Sequence, residues 1–279
     1  MFRFLLFAAG LTVFAQGPCA SDAFKRYDYV LGEWAVSRDG KAVGNVRYRK
    51  AVHGCVIVED YTGPSGVSRK GLLYYEPRAA RWEIVVSGTD GLLEGHETAA
   101  GVFTASGANF RLSAAGDTWS IAQDGAWKQT YTKASYPSPL ASETRHCDTP
   151  EHRQFDFWLG SWEVFNPRGA LAGTNHIYSA AGGCALVENW TAAGRTTGIS
   201  LNFWDSARQV WRQVWVAPGG ALKVEGKWDG AALRFASLIS RLTFTPNKDG
   251  SVRQYWEQTN DSGRTWSVAF DGTYRRAAE

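Results

Sequence analysis

Short segments in which apolar and polar side chains alternate recur along most of the chain. In the segment 81–86 (Arg-Trp-Glu-Ile-Val-Val), Trp82, Ile84 and Val86 form one set, and the alternate residues 81, 83 and 85 form the other. An alternation with a period of two is typical of a β-strand that buries one face. The charge-bearing set is expected to face water, so the Trp82 set is expected to point inward.

These segments follow one another about every eight to twelve residues and are separated by turns rich in Gly, Asp, Asn and Pro. In the second half of the chain they predict strands near 160–166, 172–179, 184–191, 197–204, 209–216, 221–228, 231–237, 240–246, 251–259 and 265–276. The first half follows the same plan, but its last strands, around 110–112, 118–123 and 127–133, are shorter in the pattern. About ten hairpin-connected strands bury one face and lose their edges by closing into a barrel.

The two halves are copies of one another. DYVLGEW at Asp28 returns as DFWLGSW at Asp156, an offset of 128 residues, and Trp82 returns as Trp211, an offset of 129. A repeat of this length is a domain and not a solenoid unit. The sequence therefore predicts an all-β protein with a first barrel at 16–135, degenerate in its C-terminal part, a linker at 136–146 and a second barrel at 147–279.

The four cysteines occupy matching positions in the two copies. Cys19 lies nine residues before Asp28, and Cys147 lies nine before Asp156, while Cys55 and Cys184 fall at equivalent positions of the third strand. Four cysteines allow three connectivities. The duplication favours Cys19 with Cys55 and Cys147 with Cys184, since each domain then closes its own bond; four unrelated buried thiols are the alternative.

The first residues have the features of a secretory signal segment. Arg3 precedes an apolar run at 4–14 that is too short to span a bilayer, and cleavage is placed after Ala15. Cleavage after Ala20, or a lipoprotein acylated at Cys19, are alternatives. No second long apolar run follows, so we expect a secreted or periplasmic protein without a membrane span.

Charge and histidine placement narrow the possible chemistry. The net charge is +3, and basic residues are scattered among acidic ones, which is not the electrostatic pattern of a nucleic-acid-binding protein. The five histidines stand at no ligand spacing, and no phosphate loop or nucleophile elbow is present. We therefore expect no metal and no cofactor.

A Gly-x-Trp motif near the start of a barrel, followed by an arginine on its last strand, resembles the calycin superfamily of lipocalins and fatty-acid-binding proteins. Here the motifs are Gly32-Glu33-Trp34 and Gly160-Ser161-Trp162, with Arg275 or Arg276 as the arginine and only Lys133 in the first copy. The strings FDFWLGSWEV, GCALVENW, GISLNFWD and VWRQVWV further resemble a family of secreted bacterial domains of unknown function. The resemblance implies two tandem calycin-like antiparallel up-and-down barrels and brings no established activity.

Glu59 and Glu188 are the sharpest candidates for chemistry, because both copies place a carboxylate in mid-strand on the face predicted to be lumenal. A buried carboxylate is costly unless it is paired or hydrogen-bonded. It can be a polar anchor or a general acid or base with a raised pKa. The alternative is a structural glutamate bonded to a tyrosine, a tryptophan N–H or an arginine.

The second lumen is the preferred candidate for a small-molecule pocket, since its predicted wall combines aromatic and polar residues. The predicted ligand-binding residues are Glu188, Trp190, Ser200, Asn202, Trp211, Gln213, Trp215, Tyr255 and Glu257. Equivalent positions in the first copy are more apolar: Gly71, Leu73, Ile84 and Val86 stand for Ser200, Asn202, Gln213 and Trp215. A lumen filled by its own side chains is the alternative.

Three functions are compatible with these features. The leading hypothesis is a binding protein for a small, largely apolar or aromatic ligand in the second barrel. The alternative is an enzyme of the hydratase, isomerase or cyclase type that acts on a hydrophobic molecule with Glu188 as general acid or base. A third possibility is an interaction module whose first barrel docks to a partner.

Overall fold

The computed structural model describes residues 17–123, 125–135 and 146–278, which fold into two closed antiparallel β-barrels of ten strands each. The predicted signal segment, 1–15, and nearly all of the predicted linker, 136–146, lie outside the described residues. The all-β class and the two tandem barrels are confirmed.

In the first barrel each strand pairs with the next, and pairing of the first strand with the tenth closes the ring. Its strands are β1 (Gly32–Arg38), β2 (Lys41–Ala51), β3 (Val56–Thr62), β4 (Ser68–Glu76), β5 (Arg81–Gly88), β6 (Gly91–Ala99), β7 (Val102–Ala105), β8 (Ala108–Ala115), β9 (Thr118–Gln123) and β10 (Trp127–Lys133). The last three strands are thus complete, and the strand around 110–112 is longer than its pattern predicted.

The second barrel repeats this order and is closed by pairing of its first and last strands. Its strands are β11 (Gly160–Phe165), β12 (Leu171–Ala180), β13 (Ala185–Ala192), β14 (Thr197–Asp205), β15 (Val210–Ala217), β16 (Gly220–Trp228), β17 (Leu233–Ala236), β18 (Ser240–Pro246), β19 (Val252–Gln258) and β20 (Ser267–Arg276). All ten predicted strands are present.

Short helical segments close one end of each barrel. They are α1 (Pro150–Arg153) and 3₁₀ turns at Asp22–Lys25, Asp28–Val30, Val52–Gly54, Asp156–Trp158 and Ala181–Gly183, while a further 3₁₀ turn at Pro64–Gly66 joins β3 to β4 at the opposite end of the first barrel. In the second barrel Phe155 stacks on Trp158 with ring centroids 4.8 Å apart. Trp211 Nε1 donates to the carbonyl oxygen of Glu151 at 3.2 Å, which fastens the segment to the barrel wall. We call this the closed end, and the opposite end the mouth.

The Gly-x-Trp motif and the basic residue of the last strand meet at the closed end. The Arg276 guanidinium lies 3.9 Å from the ring centroid of Trp162, and Lys133 Nζ lies 3.9 Å above Trp34 in the first barrel. Gly160 has a φ of +127°, and a Cβ there would collide with the Arg276 guanidinium. Glycine is therefore required both by the backbone angle and by the close approach of the cation.

Both predicted disulfides are present. Cys19 is bonded to Cys55, and Cys147 to Cys184, with Cα–Cα distances of 5.0 and 4.8 Å. Each bond joins the segment before a barrel to the start of its third strand, and closes a loop of 36 or 37 residues. By the chain-entropy model, loops of that length contribute about 3–4 kcal/mol each.

The two barrels pack against each other through the outer faces of β3–β5 and β13–β15. Leu72 and Val85 of the first barrel share one buried apolar cluster with Leu201 and Phe203 of the second. The expectation that the set 81, 83 and 85 faces water is therefore wrong for two of its members: Val85 is fully buried, and the Glu83 carboxylate pairs with Lys223 at 2.6 Å. Alternation shows which side chains share a face, but not what that face meets.

The two mouths open in opposite directions. Ser87, near the mouth of the first barrel, donates to the carbonyl oxygen of Cys184 at the closed end of the second at 3.0 Å. At the other edge of the interface, Glu76 at the closed end of the first barrel accepts from the Ala221 N–H near the mouth of the second at 2.9 Å. Equivalent strands thus meet in antiparallel fashion, as in a two-fold isologous dimer.

Candidate functional site

The lumen of the second barrel contains a cavity of about 310 Å³ between the packed closed end and the mouth. Its walls are mostly apolar and aromatic. The lining residues are Ala172, Glu188, Trp190, Ala192, Gln213, Trp215, Leu222, Leu242, Gln254, Trp256, Phe270 and Tyr274. A cavity of this size and composition, with a few convergent polar groups, is typical of a small-molecule site.

Glu188 is the carboxylate of this wall. It projects from β13, is only 4% exposed, and accepts hydrogen bonds from Asn175 Nδ2 at 2.7 Å and Ser200 Oγ at 2.6 Å. Burial raises the pKa of Glu188 to about 7, and the bonds from Ser200 and Asn175 partly oppose this shift. The group therefore changes charge near neutral pH.

The side-chain amides of Gln213 and Asn202 form a chain of hydrogen bonds that leads through Ser200 to the Glu188 carboxylate. Gln213 Nε2 donates to Asn202 Oδ1 at 2.7 Å, and Asn202 Nδ2 donates to Ser200 Oγ at 2.9 Å and to the Leu186 carbonyl oxygen at 3.1 Å. Because Ser200 Oγ accepts from Asn202, its own proton is available for Glu188. The row orients the hydroxyl and supports the acceptor state of the carboxylate.

Tyr274 and Gln254 continue the polar strip on the other side of the lumen. Asn175 Nδ2 lies 3.3 Å from the Tyr274 hydroxyl, which donates to Gln254 Oε1 at 2.5 Å. Burial, together with the nearby Glu188 carboxylate, holds the pKa of Tyr274 well above its usual range. The tyrosine is therefore a hydroxyl donor at all physiological pH values.

Two glycines make room for the aromatic wall. A Cβ on Gly173 would contact the Trp190 ring, and one on Gly198 would overlap the Trp215 ring. Trp190 also meets Phe270 edge-on, with ring centroids 5.8 Å apart. Glycine is required at these strand positions because the indoles lie flat over the backbone.

The structure brings most of the predicted site residues together. Glu188, Trp190, Gln213 and Trp215 line the cavity, as do the predicted first-barrel counterparts Gly71, Leu73, Ile84 and Val86 in their own lumen. Ser200 and Asn202 point inward but lie behind the carboxylate, where they are fully buried. Trp211 belongs to the closed end, where it packs against Phe155.

The inward assignment of Tyr255 and Glu257 is wrong. Gln254 and Trp256 of the same strand line the cavity, so the alternate residues project from the outer face. The Tyr255 ring accordingly carries the half-exposed Arg253 guanidinium at 4.8 Å. Both faces of β19 bear aromatic and polar side chains, so its pattern did not distinguish the two faces.

Sequence reasoning missed five polar or aromatic residues of the site, Asn175, Gln254, Trp256, Phe270 and Tyr274, and the smaller apolar wall residues Ala172, Ala192, Leu222 and Leu242. Asn175 has a signal in the chain, because it alternates with Gly173 and Ile177 on β12, opposite Trp190 and Glu188 in the register. The site residues on β19 and β20 had no such signal in the sequence, since their place beside Glu188 depends on closure of the barrel.

The first barrel holds a larger cavity, of about 440 Å³, although the second lumen was preferred from the sequence. Glu59 lines it and accepts from the Tyr48 hydroxyl at 2.8 Å. Burial raises the pKa of Glu59, while that bond and the nearby Arg69 guanidinium lower it. Arg69 is itself paired with Asp90 at 2.8 Å and lies 4.5 Å from the ring centroid of Tyr61. The first lumen therefore contains a cation that the second replaces with Gly198.

No family model matches the chain, and no curated protein matches it. Among solved structures, a protein of unknown function from the DUF3598 family of Nostoc punctiforme is similar at 10% sequence identity and a TM-score of 0.22, covering 92% of this chain and 100% of that one. The tandem barrels agree with the resemblance drawn from the motifs, while membership of the calycin superfamily stays a prediction.

Two kinds of feature are absent from the described residues. No helix within them is long and apolar enough to cross a bilayer. No group of three or more His, Cys, Asp or Glu side chains among them is placed to hold a metal ion.

Proposed function

We propose that the protein is a secreted or periplasmic binding protein that holds a small, largely apolar ligand in the lumen of the second barrel. The observation that carries this proposal is the cavity of about 310 Å³, whose aromatic walls surround a buried, hydrogen-bonded carboxylate. The apolar walls supply the affinity, and the polar strip orients one end of the ligand. The two disulfides are compatible with an extracellular or periplasmic location.

The test is calorimetric titration with a library of small apolar and aromatic compounds, using a variant that fills the cavity. Ala192 lines the cavity, whereas the next residue, Ala193, is exposed in the following turn. Ala192→Phe is expected to abolish binding, and Ala193→Phe to leave it intact. The proposal fails if no compound binds, or if the two variants bind equally well.

One observation favours an enzyme as the second candidate. The pKa of Glu188 is raised to about 7, the range in which a carboxyl group serves best as a general acid or base near neutral pH. For any compound found to bind, Glu188→Gln should abolish its chemical conversion if the residue is catalytic. Product analysis by mass spectrometry separates the two functions, because a binding protein returns the compound unchanged.

A further inference from the structure

The second cavity contains hydrogen-bond acceptors with no charge to balance them. Among the described residues that line it, none is Lys, Arg or His, and the bonds to Glu188 come from the uncharged Ser200 and Asn175. Buried carboxylates are normally paired with a cation. The first lumen follows that rule through Arg69, which stands near Glu59, so the second is the exception within one chain.

A second acceptor stands beside the carboxylate. Asn175 is 3% exposed, and its Oδ1 has no hydrogen-bond partner among the described residues. The Nδ2 of the same amide donates to Glu188, so the unbonded Oδ1 belongs to a side chain that is in direct contact with the carboxylate. Buried acceptors of this kind are normally satisfied by a protein group, a water or a ligand.

The aromatic walls match a positive charge. Trp190, Trp215, Trp256 and Phe270 line the same cavity as Glu188. Aromatic faces attract a cation, most strongly in a desolvated site, and indole is the best of them. The same walls offer an apolar surface for the rest of the molecule.

We infer that the ligand of the second barrel is a protonated amine on a small apolar body, with its ammonium group against the Glu188 carboxylate. The inference rests on the proposed function and names the chemical class of the ligand. An ammonium group brings three N–H donors and one positive charge, which the site lacks. A carboxylate ligand would be repelled by Glu188, and an alcohol would leave its charge unbalanced.

The experiment is calorimetry at pH 8 with three probes of similar shape: phenethylamine, phenethyl alcohol and phenylacetate. We expect the amine to bind about tenfold to a hundredfold more tightly than the alcohol, and the phenylacetate not to bind. Glu188→Gln should reduce amine affinity to the level of the alcohol, and Glu59→Gln, its counterpart in the first barrel, should change neither. Equal affinity for amine and alcohol, or no effect of Glu188→Gln, overturns the inference while the binding function stands. Failure of the amine to bind overturns the inference, while the binding function is decided separately by the compound library.

A pH series on the unaltered protein gives an independent readout. Amine affinity should rise between pH 6 and pH 8 as Glu188 ionises through its pKa of about 7, because the amine remains protonated over that range. The affinity of the alcohol should not rise. A flat profile for the amine contradicts the inference even if the glutamine variant does not fold.

A different observation concerns the mouth of this barrel. Four large apolar side chains are exposed among the described residues: Leu171, Leu238, Ile239 and Val268, at 45%, 91%, 45% and 56%. All four lie at the mouth of the second barrel, at the start of β12, in the β17–β18 loop and at the start of β20. Clustering of exposed apolar residues at one place indicates an interaction surface.

Basic residues surround the same opening. Arg168, Arg195, Arg241 and Arg264 are exposed and lie in or beside the mouth loops, and none forms an ion pair with another described residue. The one carboxylate within these loops, Asp261, is engaged by Thr259 and Thr265. The rim is therefore both apolar and positively charged.

We also propose that this rim docks on an anionic bilayer, with the mouth facing the lipid. Exposed apolar side chains surrounded by arginines fit the boundary between acidic headgroups and acyl chains. The mouth of the first barrel faces the opposite way, so only the second can load from that surface. The apolar body of the ligand would then stay out of water as the ligand passes between bilayer and lumen.

Vesicle flotation tests this docking. The protein is expected to float with phosphatidylcholine vesicles that contain phosphatidylglycerol, and not with phosphatidylcholine alone. Leu238→Asp should abolish flotation, whereas Ser106→Asp, which adds the same charge at the mouth of the first barrel, should not. Added salt should weaken the binding. Absence of flotation, or equal flotation of the two variants, overturns the proposal.

Discussion

Glu188 should make the protein less stable as the pH rises, and its replacement by glutamine should remove that loss. The folded pKa of Glu188 is about 7 against a usual value of 4.5, so between these values the folded state holds a proton that the unfolded chain has released. Stability therefore falls as pH increases through this window. One pKa unit is worth about 1.4 kcal/mol, so the full effect is on the order of 3 kcal/mol.

Glutamine keeps the shape of protonated glutamate and carries no charge. The free energy of unfolding of Glu188→Gln should be close to that of the wild type near pH 4.5 and higher by up to about 3 kcal/mol at pH 8. Urea unfolding followed by tryptophan fluorescence measures the free energy of unfolding of the wild type and the variant at each pH. Glu257→Gln on the outer face of β19 is the control and should change little at either pH.

The reasoning is refuted if the difference between Glu188→Gln and the wild type is the same at pH 4.5 and pH 8. It is also refuted if the variant is the less stable protein at pH 8. Either result would mean that Glu188 is not a buried carboxylate with a raised pKa, and that a cation or solvent compensates its charge.

Three further changes test the fold. Gly160→Ala should cost about 1–3 kcal/mol in urea unfolding, because φ is +127° and the Cβ displaces Arg276; an unchanged midpoint contradicts this. Cys147→Ser removes the second disulfide and should lower the free energy of unfolding by about 3 kcal/mol. If the lost bond is the cause, the variant and the wild type should be equally stable once a reductant is added; a difference that persists in reductant contradicts this. Gly198→Val should displace the Trp215 ring, weaken ligand binding and lower stability by about 1–3 kcal/mol; unaltered calorimetric affinity would remove Trp215 from the site.

Much of the site followed from local alternation. Gln213 and Trp215 were placed inward by their offset from the Trp82 set, and Glu188 by the alternate positions that it shares with Leu186 and Trp190 on β13. All three line the cavity. On β19 the same rule failed for Tyr255 and Glu257, since aromatic and polar side chains stand on both faces. A period of two separates faces, but it assigns them only where one is plainly apolar.

The outer faces of the middle strands show a second limit. Residues such as Glu83 and Val85 were expected to meet water, yet they contact the second barrel. Docking of two similar barrels buries whatever their outer faces carry, and the pattern of one barrel contains no information about its neighbour. The only indication of that interface in the sequence was the apolar character of the outer positions Leu201 and Phe203, which pack in it.

By itself, the sequence determined the duplication, the barrel architecture and the pairing of the cysteines, because each depends on short-range patterns or on comparison of the two copies. Tertiary structure decided the chemistry of the lumen. Asn175 and Tyr274 meet beside Glu188 although they are 99 residues apart, and that meeting requires β20 to close on β11. Which groups face each other across a barrel depends on the register of strands distant in sequence, and no local pattern encodes it.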